Sequence, residues 1–262
     1  MPLNYPTLNN HKLLSWLELL LPTQCLICLR PLRHSRICYR CRPALPDLGE
    51  LIRRSCLKCF SPYAPAAHSD SCPTCKLYPP IPDTMRYLWD YEGLARDLIR
   101  TMKYRPSLEI AGICSSLLHD AISELFSDRD WDIISPVPSS RLMLRKRLFH
   151  PCGEVAKPIA KSLKIPFSNL LINGVQRAPQ ATLSHEARIT RLKKLFALKD
   201  GADVTGKRVL LIEDVITTGA TISAAAYTLK RAGAVRVDVL ALARTSVWSR
   251  FRGRVAEGLS VS

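Results

Sequence analysis

No apolar run in this chain reaches the roughly 20 residues a helix needs to cross a bilayer, which excludes a spanning anchor of that kind. The most apolar early stretch, Leu13 to Leu21, is interrupted by Glu18 and lacks a small-residue cleavage site. It is expected to form an amphipathic helix rather than an export signal. Acidic side chains are scarce, 22 against 38 basic ones, leaving a formal charge of +16. A chain this basic should seek polyanions such as nucleic acid or phosphorylated metabolites. Cysteine is almost absent from the larger part of the chain: of ten, only Cys114 and Cys152 lie beyond residue 75. That break is the first expected domain boundary.

The other eight are spaced Cys25-x2-Cys28-x9-Cys38-x2-Cys41 and Cys56-x2-Cys59-x12-Cys72-x2-Cys75. Without an export signal the expected compartment is a reducing cytoplasm, where such pairs bind metal rather than form disulfides. Each quartet offers four sulfurs to one tetrahedral ion, so two structural Zn2+ in tandem ribbons are expected, with a cross-braced pairing of the first and third knuckles as the alternative. A four-thiolate shell has no open coordination position and therefore no catalytic role. Eight thiolate charges against the four positive charges of two Zn2+ lower the net charge to about +12. The stretch from Thr23 to Pro82 is rich in Cys, Pro, Arg and Ser and poor in apolar periodicity, so metal rather than a core is expected to organise it. Arg30, Arg33, Arg36, Arg40 and Arg42 lie within and just after the first quartet; they suit nucleic-acid contact, and equally a solvated rim on a cap. His34, His68 and His150 are expected at the surface, and Cys114 and Cys152 as buried thiols.

Beyond Pro82 the pattern changes to alternating strands and helices. Strands are expected over Met85–Tyr91, Asp132–Pro138, Arg208–Glu213 and Val235–Ala243. Helices are expected over Gly93–Arg105, Ser107–Phe126, Gly153–Lys164 and Ile222–Ala232, with an exposed one over Ser184–Leu195. Two continuous apolar strands among helices indicate an α/β domain with a mostly parallel sheet covered on both faces. The expected boundaries are an amphipathic helix at 1–22, a double zinc ribbon at 23–82, the α/β domain at 83–248 and a basic tail at 249–262.

Ligands of open α/β sheets bind where strands end and helices begin. At one such junction Thr217, Thr218, Gly219, Ala220 and Thr221 offer backbone N–H groups, hydroxyls and a glycine that permits close approach, all at a helix start that favours an anion. Glu213 and Asp214 just before it would be ill placed beside phosphate unless they accepted hydrogen bonds from vicinal ribose hydroxyls.

The segment Val209 to Thr221 resembles the phosphoribosyl pyrophosphate motif of type I phosphoribosyltransferases over all thirteen positions. Tyr91-Glu92-Gly93, Lys103-Tyr104, Pro136-Val137-Pro138, Arg177 and Gln180 extend the likeness over residues 24 to 245 to the ComF family of competence-associated phosphoribosyltransferase-like proteins. The resemblance implies a type I phosphoribosyltransferase fold behind a small zinc-ribbon module. It also implies catalytic carboxylates at Glu213 and Asp214, a phosphoribosyl loop at Thr217 to Thr221, and a pyrophosphate side at Ser139 and Ser140 with Lys103, Arg145 and Arg147 as charge partners. The chain departs from the family at Arg147-Leu148-Phe149-His150, where relatives show Arg-Gly-Phe-Asn, and at Arg191, where they show asparagine. The likeness is therefore more complete on the ribose 5-phosphate side than on the pyrophosphate side.

Two classes of function follow. One is an accessory protein of DNA uptake and natural transformation that binds single-stranded DNA or another nucleic acid, works with competence proteins and keeps a phosphoribosyl ligand. The other is a phosphoribosyltransferase that uses phosphoribosyl pyrophosphate and Mg2+, although no aromatic-rich insertion offers a hood for a base.

Overall fold

The computed structural model describes residues 23–25, 30–32, 38–39, 41, 47–61, 72, 75–76, 80–104, 107–139, 150–174 and 195–245. Near the amino terminus β1 (Thr23–Gln24) and β2 (Pro31–Leu32) form an antiparallel pair, followed by the short helix α1 (Leu48–Arg53). Next come β3 (Thr84–Asp90), α2 (Gly93–Tyr104), α3 (Leu108–Leu125), β4 (Ile133–Pro136), α4 (Pro151–Leu163), β5 (Leu171–Asn173), β6 (Phe196–Leu198), β7 (Arg208–Ile216), α5 (Ala220–Arg231) and β8 (Arg236–Arg244).

Four parallel strands make the main sheet in the order β3-β8-β7-β4. The centre, β7 and β8, is apolar along nearly its whole length, because a parallel strand covered on both faces buries every side chain. Residues 166–168 extend the edge past β4, with Ile134 N–H donating to the Pro166 carbonyl at 2.9 Å and Ser168 N–H to the Ile134 carbonyl at 3.1 Å. Helix α3 starts on the Ser107 hydroxyl, which accepts from Ile110 N–H, and packs against α4 and the sheet. The starts of the strands are tied together by charge: Arg208 pairs with Asp130 and Asp132, and Arg236 with Asp130 and the buried Asp238, which also accepts from Trp131 Nε1 at 2.8 Å. At the opposite, carboxyl ends, β7 runs into the turn at Thr217 and β4 into the loop at Ser139.

The cysteine-rich stretch does contribute to a core, contrary to the expectation that metal alone would organise it. Leu48, Leu51 and Phe60 are buried in one cluster with the sheet residues, because α1 places Leu48 and Leu51 on one face and Phe60 meets Tyr87 edge to face at 5.3 Å. Residues 54–60 also cover the free edge of β3, the manoeuvre that keeps a sheet edge from pairing with another chain. Lys58 C=O accepts from Met85 N–H, Arg54 pairs with Asp90 at 2.8 Å, and the Arg86 guanidinium donates to the Leu57 and Leu125 carbonyls between the Phe60 and Phe126 rings. Among the described residues no helix is long and apolar enough to cross a membrane.

Apart from the helix expected over Ser184–Leu195, the expected strands and helices beyond Pro82 are present with ends shifted by a few residues. Strand β7 runs three residues further than expected, to Ile216, so Glu213 and Asp214 lie inside it rather than at its end. The small antiparallel pair β5–β6 was not expected. The helices expected over Leu13–Leu21 and Ser184–Leu195 lie outside the described residues.

Candidate functional site

The junction of β7 and α5 is built as its residue types require. Gly219 takes φ 76°, a left-handed conformation that glycine enters without steric cost, and caps α5 with no side-chain hydrogen bond. Gly219 thus supplies no side-chain cap to this 12-residue helix, whose start is an exposed, electropositive end. Thr217, Thr218, Ala220 and Thr221 are exposed around it, with the Thr218 hydroxyl accepting from Ala220 N–H at 3.3 Å. An anion meeting this turn finds amides and hydroxyls already oriented.

Glu213 and Asp214 stand beside the turn on β7. From α2, Lys103 reaches across and its Nζ lies 2.6 Å from Asp214 Oδ1, holding the lysine ammonium above its ordinary range against the cost of burial. Cys152, buried in the first turn of α4, donates from Sγ to Glu213 Oε1 at 3.5 Å. Burial, then the neighbouring Asp214 charge, push the Glu213 carboxyl up to about 8, and burial drives the Cys152 thiol well above its usual value. Thiol and carboxylates lie within 4.8 Å of one another. They are nonetheless a poor seat for Mg2+, which prefers unprotonated oxygens: one donor is a soft, protonated thiol and Asp214 already carries an ammonium.

The pyrophosphate side expected from the sequence is only partly described. Ser140, Arg145 and Arg147 lie outside the described residues. Ser139 is held at both ends: its N–H points at His150 Nε2 at 3.2 Å, and its carbonyl accepts from Asn173 Nδ2 at 2.6 Å. His150 is not the free surface residue expected. It caps α4, with Nδ1 accepting from Gly153 N–H at 3.0 Å, and a Cβ at residue 153 would come within 2.6 Å of that nitrogen. Burial lowers the imidazole below its ordinary value, so it is neutral at pH 7.

The second cysteine quartet is assembled. Cys56, Cys59, Cys72 and Cys75 are all buried with their sulfurs within 4.8 Å of one another; Cys56 and Cys75 are 3.9 Å apart, Cys59 and Cys72 3.6 Å. Sulfurs at about 2.3 Å from a tetrahedral zinc would be about 3.8 Å apart, so the quartet fits the ion. Four buried thiols cannot all ionise unaided. Burial raises Cys56, but the backbone N–H groups of Cys59, Cys72 and Lys58 outweigh it and bring it to about 7, whereas burial and its neighbours hold Cys72 and Cys75 up. Cys25, Cys38 and Cys41 form the corresponding cluster of the first quartet, and Cys28 lies outside the described residues. Knuckles one and two therefore meet each other, as do three and four, which is the tandem arrangement and not the cross-braced one.

Cys152 is the buried thiol expected, but its contact with Glu213, the role of Asn173 and the capping role of His150 were missed from the sequence. Pro151 and Gly153, flanking a helix start, were the only local signals for the cap.

Residues 152–247 match the phosphoribosyl transferase domain model. The DNA utilization protein YhgH of Escherichia coli K12 is 30% identical over 236 residues, 87% of this chain and 99% of that protein. The chain belongs to the ComF family. The Competence protein F of Haemophilus influenzae is 25% identical over 220 residues, 79% of this chain and 96% of that one. Over a shorter reach of 127 residues, 48% of this chain and 67% of the other, it is 25% identical to an adenine phosphoribosyltransferase of Thermotoga petrophila. This ComF protein has the type I phosphoribosyltransferase fold, a parallel sheet flanked by helices, joined to a cysteine cluster that fits a zinc ribbon.

Proposed function

We propose that this ComF protein is a cytoplasmic accessory of DNA uptake that binds single-stranded DNA and holds a 5-phosphoribosyl group at the β7–α5 junction. The first turn of α5, where Gly219 supplies no side-chain cap, beside Asp214 and the carboxyl group of Glu213 carries the ligand half of this reading, because it offers phosphate donors and ribose partners side by side. The DNA half is supported by the +16 charge and by relatives named for DNA utilization and competence. Two Zn2+ ions, one per cysteine quartet, have structural roles, and the second braces the free edge of β3. Any Mg2+ arrives with a pyrophosphoryl ligand rather than on the chain's own side chains.

A salt series tests the DNA half. Binding of a single-stranded oligonucleotide should weaken steeply as salt rises, and replacing Arg145, Lys146 and Arg147 together should flatten that slope. Affinity independent of salt, or indifferent to the triple replacement, would place the contact elsewhere.

The second reading is an active phosphoribosyltransferase, favoured by the complete Glu213 to Thr221 segment and by the likeness to the Thermotoga enzyme. Release of pyrophosphate from phosphoribosyl pyrophosphate in the presence of a nucleobase would establish it.

A further inference from the structure

A zinc ion with four thiolates carries a net charge of about −2. Cys56, Cys59, Cys72 and Cys75 are all buried, so that charge needs compensation which water cannot give. The backbone supplies part of it, with Cys72 N–H pointing at Cys56 Sγ at 3.3 Å, but an amide has no net charge. Two guanidiniums stand against the same knuckle. Arg244, the last residue of β8 and only 9% exposed, donates from Nη1 to the Cys59 carbonyl at 2.5 Å. Arg86, from β3, donates from Nη1 to the Leu57 carbonyl at 2.8 Å, and its other bonds go to the Met85 and Leu125 carbonyls. Among the described residues neither is paired with a carboxylate. Asp90, the neighbour of Arg244 in the sheet, is engaged by Arg54, and Asp238 by Arg236. Lys58, in the same knuckle, is exposed, so its charge is screened by solvent.

We propose that Arg86 and Arg244 are the counter-charges of the zinc–thiolate cluster at the second quartet, so that β3 and β8 set the zinc affinity together with the four sulfurs. This rests on zinc occupying that quartet. It accounts for an arrangement that packing alone does not, because a charge held away from water is ordinarily paired. The Phe60 and Phe126 rings on either side of Arg86 offset part of its burial. Arg244 has no such ring contact among the described residues, and its Nε has no hydrogen-bond partner there. With protonated thiols the two cations lack an anion; with zinc bound, two positive charges meet two negative ones. Loss of the metal therefore removes the ligand sphere of four sulfurs and the counter-charge of two guanidiniums in one step. The cysteine module and the sheet edge are joined by charge as well as by Phe60.

Competition of the full zinc-loaded chain against a chromogenic chelator, followed ion by ion, tests the proposal. Arg244→Lys keeps the charge and should hold zinc within about threefold of the parent. Arg244→Gln keeps a donor for the Cys59 carbonyl but no charge, and should bind one ion about tenfold to a hundredfold more weakly while the ion of the first quartet is unchanged. Arg86→Lys and Arg86→Gln should divide in the same way. Thermal melting separates this role from a packing role. Each Gln variant should lower the melting temperature of the zinc-loaded protein and leave that of the chelated protein unchanged or higher, because there it removes an uncompensated charge. Lys and Gln variants that behave alike, or Gln variants that lower the loaded and the chelated melts equally, would overturn the counter-charge role while leaving the zinc site standing. A parent that takes up no zinc would remove the zinc site itself and this proposal with it.

Discussion

Removing both members of the Lys103–Asp214 pair should destabilise the protein by less than the sum of removing each alone. Nζ and Oδ1 are 2.6 Å apart, and the side chains are only 25% and 11% exposed, so screening by water is weak. Breaking a fully buried pair by deleting one partner costs about 3 to 5 kcal/mol. Partial exposure reduces this, and Lys103→Met, which leaves Asp214 beside Glu213 without a counter-charge, should cost about 2 to 4 kcal/mol. Asp214→Asn keeps an acceptor for the ammonium and should cost about 1 to 3 kcal/mol. The double variant should cost less than the sum of the two by about 1 to 3 kcal/mol, well outside the few tenths expected for independent sites. Urea denaturation of the four proteins at pH 7 measures the cycle. Effects that add to within about 0.5 kcal/mol would refute the pairing and with it the assignment of Lys103 as the counter-ion of the carboxylates.

Metal analysis should return two zinc ions per chain, and chelation or Cys56→Ser should lower the melting temperature of the sheet domain itself, because Phe60 and the β3 edge are packed through that quartet; one ion or none, or an unaffected melt, would contradict this. Glu213 gives a pH signature. Its folded value is raised from 4.5 to about 8, so its contribution to stability is full below 4.5 and is lost as pH rises through 8. Glu213→Gln should flatten that decline in a denaturation series from pH 5 to 9, in which Asp214, Lys103 and Cys152 are the facing groups.

Much of the α/β domain was legible because each element carried a local signal. The apolar run into Glu213, followed by Thr217, Thr218 and Gly219, could only be a strand feeding a helix through a turn that needs a left-handed residue, and Gly219 has that conformation. Helix α1 was missed although Asp47 and Glu50 are spaced as a capping pair, and Asp47 does accept from Glu50 N–H at 3.0 Å; six residues carry too little apolar periodicity to announce a helix. Strands β5 and β6 have three residues each and find one another across more than twenty intervening positions, which no local pattern encodes. At the site, the carboxylates and phosphate turn were readable because one segment holds them. The contact of Cys152 with Glu213, the capping role of His150 and the pairing of Lys103 with Asp214 were not legible, since they arise from α4 and α2 leaning over the strand ends. Lys103, expected as a charge partner of a bound anion, is paired with Asp214 in this structure.

The measurement closest to the central claim is titration of ribose 5-phosphate into the parent protein and into Thr218→Val. The substitution removes a hydroxyl at an exposed turn with almost no change in volume, and with it one exposed hydrogen bond from Ala220 N–H, so the melting temperature should move little. Losing a hydrogen bond to a charged phosphate costs about 1.5 to 3 kcal/mol, which is roughly tenfold to a hundredfold in affinity. The account predicts one saturable site in the parent and that loss in the variant; no saturable binding, or equal binding by both, would contradict it.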